Sequence, residues 1–177
     1  MKISKKTFTD FIINSLCPNC LITIQMPYSH KTKNFERFRS YVRVVMKKVE
    51  KDLLGKKWNK FHYRFIVFYE NCNNLTTWHA HIICNFKNEH TGISESFDNI
   101  ANACAQANHA FRTDYSSKKD VEIHVSMLEN IDQTEKAINY CQKELWHECL
   151  DKSSVVRMEF SDDIFSLKKH NAQSGAL

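Results

Sequence analysis

The stretch FHYRFIVFYENCNNLTTWHAHIICNF, residues 61–86, decides how the rest of the chain is read. Phe61 to Glu70 is dense in aromatic and β-branched residues, as a strand requires. Trp78 to Phe86 repeats that composition. Asn71 to Thr76 is rich in turn formers, so the spacing predicts a hairpin. Side chains alternate across a strand, which sorts the hairpin into two faces. Phe61, Tyr63, Phe65, Val67 and Tyr69 fall with Trp78, Ala80, Ile82, Cys84 and Phe86. That face is wholly apolar or aromatic and must be covered by helices. His62, Arg64, Ile66, Phe68 and Glu70 fall with His79, His81, Ile83 and Asn85. This second face is half polar, as the floor of a cleft would be.

Upstream, Leu21 to Met26 reads as a strand stopped by Pro27. Phe35, Phe38, Val42, Val45, Val49 and Leu53 recur at helical spacing and predict an amphipathic helix ending near Gly55. Downstream, Phe97, Ala101, Cys104, Ala107 and Phe111 mark a second helix, with Ser94 or Ser96 as its N-cap. Val121 to Met127 alternates and reads as a fourth strand. Asp132 to Glu135 resembles a capping box opening a third helix, which runs to about His147. Val155 to Phe160 completes the set as a fifth strand. The order β-α-β-β-α-β-α-β predicts an α+β fold with a central, largely antiparallel five-stranded sheet and flanking helices. Residues 1–165 are expected to form one domain, followed by a polar tail at 166–177.

Composition sets broad limits. With 42% hydrophobic and 25% charged residues, the 177-residue chain has the make-up of a globular domain. A net charge of +5 permits nucleic acid as a partner without demanding it. No apolar run approaches the ~20 residues of a membrane span, and no signal-peptide pattern opens the sequence. An odd count of 7 Cys argues against a complete disulfide framework and for free thiols in a reducing compartment.

Chemistry concentrates in two places. His79 and His81 are separated by Ala80, so both imidazoles leave a strand on the same side. If the turn is nearly symmetric, Glu70 falls opposite His79 and joins that side. Two imidazoles and one carboxylate with open positions suit Mg²⁺ or Mn²⁺, with Zn²⁺ or Fe²⁺ as further options. The same residues would also serve as ordinary solvent-facing strand positions. On the last helix, Tyr140 and Lys143 are neighbours on one face, with Lys136 and His147. Ala137, Ile138, Cys141, Leu145 and Trp146 form the apolar side, so Tyr140 is not a natural core position. A phenol, with a pKa of about 10, is a poor nucleophile until a nearby cation favours its anion.

Together these motifs resemble the HUH endonuclease superfamily, in particular rolling-circle replication initiators of plasmid or virus type. The matching segments are Leu21 to Pro27, Trp-His-Ala-His-Ile-Ile from Trp78 to Ile83, and Tyr-Cys-Gln-Lys from Tyr140 to Lys143. The resemblance spans about residues 20–148 and implies a metal held by Glu70, His79 and His81. It implies attack by Tyr140 on single-stranded DNA at an origin, with Lys143 positioning the phosphate or aiding the tyrosine. Reversal would rejoin the strand. Ala80 is smaller than the family's usual residue there, and the first motif is only loosely similar. No Gly-x-x-x-x-Gly-Lys-Ser/Thr loop occurs, so a separate helicase is implied. Arg64, Asn85 and Lys136 are the expected DNA contacts. Action in a bacterial cytoplasm, or in a host nucleus for a virus of eukaryotes, follows from the same resemblance. Two other readings remain open: a single-tyrosine, single-strand transposase, and a zinc-stabilised binding module built on Cys17-Pro-Asn-Cys20.

Overall fold

A computed structural model describes residues 4–25, 35–58, 60–71, 78–88, 91–115, 122–143 and 157–161. The hairpin that organises the sequence lies near the middle of the sheet. Its strands are β2 (Arg64–Asn71) and β3 (Trp78–Asn85), paired antiparallel in the register Glu70↔His79 and Phe68↔His81. Residues 72–77, which hold most of the expected turn at Asn71 to Thr76, lie outside the described residues. Strand β1 (Cys20–Gln25) pairs with β3 on the other side, and β4 (Glu122–Met127) pairs with β1. β5 (Arg157–Phe160) closes the opposite edge against β2. The order is β4-β1-β3-β2-β5, and every pairing is antiparallel.

Each face of the sheet has its own core. Helices α2 (Phe35–Leu54) and α3 (Phe97–Tyr115) cover the apolar face, as its composition predicts. Phe38, Val42, Val45 and Val49 pack there with Phe65, Val67, Tyr69, Ala80 and Ile82. The opposite face carries a smaller core of Ile66, Phe68 and Ile83. It is capped by Ile12 and Leu16 of α1 (Lys5–Leu16) and by Ala137, Ile138 and Cys141 of α4 (Ile131–Cys141). Full burial of each such aliphatic side chain stabilises by roughly 1.5–3 kcal/mol.

Helix α1 is an addition to the predicted elements. Phe8, Ile12 and Leu16 repeat every four residues behind the N-cap Ser4, whose hydroxyl accepts from the Thr7 amide. The start of α4 also differs from expectation. Asn130 is its N-cap and accepts from the Gln133 amide, while the Gln133 side chain accepts from the Glu129 amide. The reciprocal capping thus begins two residues before Asp132, which sits inside the first turn. Ser96, rather than Ser94, caps α3 by accepting from the Asn99 amide. α4 ends at Cys141 with Gln142 as its C-cap, short of the expected end near His147. Residues 144–156 and 162–177, including the expected tail, lie outside the described residues.

The edge strand β5 is tied down by charge. Glu159 is 3% exposed and accepts from the Tyr69 hydroxyl at 2.8 Å and from Arg39 at 2.8 and 3.2 Å; it also pairs with Arg43. Burial pushes its carboxyl up, but the two guanidinium groups and Tyr69 outweigh burial and hold it below the usual glutamate range. Glu159→Ala is expected to destabilise the fold by about 3 kcal/mol, since it takes the buried counter-charge from Arg43 and leaves Arg39 only the exposed Glu36. Urea unfolding of wild type and variant measures this; equal midpoints would refute it. Because the folded pKa is depressed, this stabilisation is present above the ordinary glutamate range and is lost as pH falls through the folded value.

Candidate metal and nucleophile site

The second face of the sheet assembles the residues singled out from sequence. Glu70 and His79 are directly opposed across the hairpin, and His81 lies two residues along on the same side. Glu70 (6% exposed) and His81 (4% exposed) are buried, and Glu70 Oε2 stands 3.1 Å from His81 Nε2. His79 is half-buried, and its Nε2 is shielded from solvent with no hydrogen-bond partner among the described residues. Burial and the charges of His81 and Lys143 outweigh Glu70 and lower the His79 pKa, favouring the neutral imidazole that a ligand needs. Burial raises the Glu70 carboxyl, but His81 and Lys143 more than offset it, so Glu70 stays ionised.

Helix α4 crosses above this strip. It buries Thr134, Ala137, Ile138 and Cys141, which turns Tyr140 outward along the sheet and leaves it 51% exposed. The Tyr140 ring meets the His81 ring edge-to-face, centroids 5.2 Å apart at 81°. Lys143 lies just beyond the helix end, with Nζ 4.1 Å above the centre of the Tyr140 ring and 3.1 Å from Glu70 Oε1. One ammonium therefore joins the tyrosine to the carboxylate. Burial disfavours its charge, but Glu70 overcomes this and raises the Lys143 pKa. The helix end is fastened to α1. The fully buried Gln142 amide donates to Thr9 at 2.5 Å and to Asn139 at 3.2 Å.

The fit of a divalent cation rests on these donors. Among the described residues no three His, Cys, Asp or Glu side chains already form a converged coordinating group. Glu70 is engaged by His81 and Lys143 instead. Even so, two ligands adjacent on an octahedral Mg²⁺ or Mn²⁺ ion stand about 3 Å apart, given metal–ligand distances of about 2.1 Å. The Glu70–His81 separation of 3.1 Å matches that edge. On the same face, the orphaned His79 Nε2 is a polar atom that an ion would satisfy, although it does not converge with the other two.

The expected DNA contacts do not gather at this point. Arg64 is exposed at the far end of β2, opposite Asn85 and about 20 Å along the strand from Glu70. Asn85 makes two hydrogen bonds within the fold. Its amide donates to the Leu16 carbonyl at 2.8 Å, and its side-chain oxygen accepts from the Lys87 amide. Lys136 is exposed one turn before Tyr140. Two further residues at the site are not apparent from sequence. Thr23 of β1 is the register partner of His81, and Gln142 locks α4. The strand register points to Thr23, but only once β1 is known to insert beside β3.

Cys17 is exposed and Cys20 is fully buried, and burial pushes the Cys20 thiol up to about 12. Among the described residues, no helix is long and apolar enough to cross a membrane. In comparisons with known proteins, the chain matches no family model, no curated protein and no solved structure.

Proposed function

We propose that this protein nicks and rejoins single-stranded DNA through a covalent tyrosine intermediate, as a replication initiator at an origin served by a separate helicase. The observation that carries the reading is the junction of Tyr140, His81, Lys143 and Glu70, brought together from a helix and a hairpin distant in sequence. Glu70, His79 and His81 would hold Mg²⁺ or Mn²⁺, which withdraws charge from a phosphodiester when bound.

The protein's own residues account for the rest. Tyr140 projects from the rim of the site, half exposed, where an extended strand can reach it. Its phenol gives up its proton to water, the oxygen attacks phosphorus, the P–O3′ bond breaks, and the 3′ oxygen takes a proton from water and leaves as a hydroxyl. Lys143 sits close enough to steady both the phenolate and the phosphate as charge shifts between them. In the reverse step, a 3′-hydroxyl attacks the phosphotyrosine and expels Tyr140, so the bond energy is conserved. The Tyr-x-x-Lys spacing favours an initiator over a transposase.

The test is covalent capture. Wild-type protein with Mn²⁺ and a pool of short single strands should give an adduct that survives denaturing electrophoresis. Label at the 3′ end should stay with the protein, while label at the 5′ end should leave. Absence of any adduct across the pool, with Mn²⁺ or Mg²⁺, would overturn the reading.

A further inference from the structure

We propose that Thr23 is a positioning residue for the metal site, its hydroxyl orienting His81 so that Nε2 is presented to the cation. This rests on the metal reading of Glu70, His79 and His81. Both nitrogens of the His81 ring have a defined neighbour. Nε2 faces Glu70 Oε2 at 3.1 Å, and Nδ1 faces Thr23 Oγ1 at 3.1 Å. Pairing of β1 with β3 sets Thr23 directly opposite His81, and the fully buried Ile22 and Ile24 on either side fix that register.

The chemistry of a hydroxyl suits both states of the ring. When Nε2 carries the proton and donates to Glu70, Nδ1 is an acceptor and the Thr23 hydroxyl donates to it. When a cation takes Nε2, the proton must sit on Nδ1, and the same hydroxyl accepts from it. An oxygen that only accepts would oppose the first state, and one that only donates would oppose the second. Thr23 therefore holds the ring in place throughout, and the exchange leaves no buried ring nitrogen unpartnered. Partners of this kind set ligand orientation and basicity, and losing one lowers metal affinity by roughly 10–100-fold.

A threonine in a strand is also a good β-former, so the test must separate the two roles. Valine keeps shape and strand preference but removes the hydroxyl. Titration calorimetry of Mn²⁺ into the full chain should show Thr23→Val binding roughly 10–100-fold more weakly than wild type, with Thr23→Ser restoring most of the difference. Equal affinity in Thr23→Val and wild type would overturn the inference and leave the metal reading standing. No Mn²⁺ uptake by wild type would overturn both. Should Thr23→Val fail to fold, ¹⁵N NMR of the wild-type imidazoles with Mg²⁺ decides the matter. A proton on His81 Nδ1 is expected, and an unprotonated Nδ1 refutes the assignment.

Discussion

Tyr140→Phe is expected to form no covalent DNA adduct while folding and binding single strands as wild type does. Phenylalanine keeps the ring that meets His81 and lies under Lys143, so the packing of α4 is unchanged. The lost hydroxyl belongs to a side chain 51% exposed, a setting in which substitutions usually change stability by no more than about 0.5 kcal/mol. Chemistry is affected far more. Removing a covalent nucleophile costs on the order of 10⁴–10⁶-fold in rate, which places both nicking and rejoining below detection. Adduct yield on a denaturing gel, with thermal unfolding as the control, measures the two halves of the expectation. A Tyr140→Phe protein that still captured DNA would place the nucleophile elsewhere.

His81→Ala is expected to give the second largest loss, with a different signature. His81 touches Glu70, Thr23 and Tyr140 at once, so its removal opens the centre of the site. A bound cation contributes several kcal/mol to stabilising developing charge, so single-turnover nicking at low Mn²⁺ should fall roughly 10²–10⁴-fold. Because Glu70 and His79 remain, part of the rate should return as Mn²⁺ is raised. Tyr140→Phe should show no such return. Rates for His81→Ala that match wild type at every Mn²⁺ concentration would remove His81 from the ligand set.

How much of this is legible in the sequence depends on which period governs each residue. Glu70 opposite His79 follows from an alternation of two and a turn of even length, and the register carries both. The burial of Ala137, Ile138 and Cys141 with Tyr140 left outward follows from the helical period. Neither period says where α4 crosses the sheet, so the contact between Tyr140 and His81 is a tertiary fact. Thr23 stays hidden for a related reason. Strand order β4-β1-β3 places it beside His81, although the chain separates them by a helix and a strand. Asn85 shows that a side chain's internal partners are also hidden. A polar residue on a cleft face reads as a ligand contact, but its amide is committed to the end of α1, a helix announced only by a short four-residue repeat.

The fastening of Gln142 to Thr9 and Asn139 bears on how the site comes together in time. Glu70, His79 and His81 belong to one hairpin and meet after closing a loop of about ten residues. Tyr140 and Lys143 join only after the chain has looped back over roughly seventy residues, which costs about 1.5–2 kcal/mol more in closure entropy. They also depend on α1 being in place. The half built from Glu70, His79 and His81 is thus local, and the half built from Tyr140 and Lys143 is long-range. A chain in which α4 has come loose keeps its carboxylate and imidazoles near one another but has no tyrosine over them. Any partial opening that frees α1 and α4 therefore parts Tyr140 from His81 and Glu70.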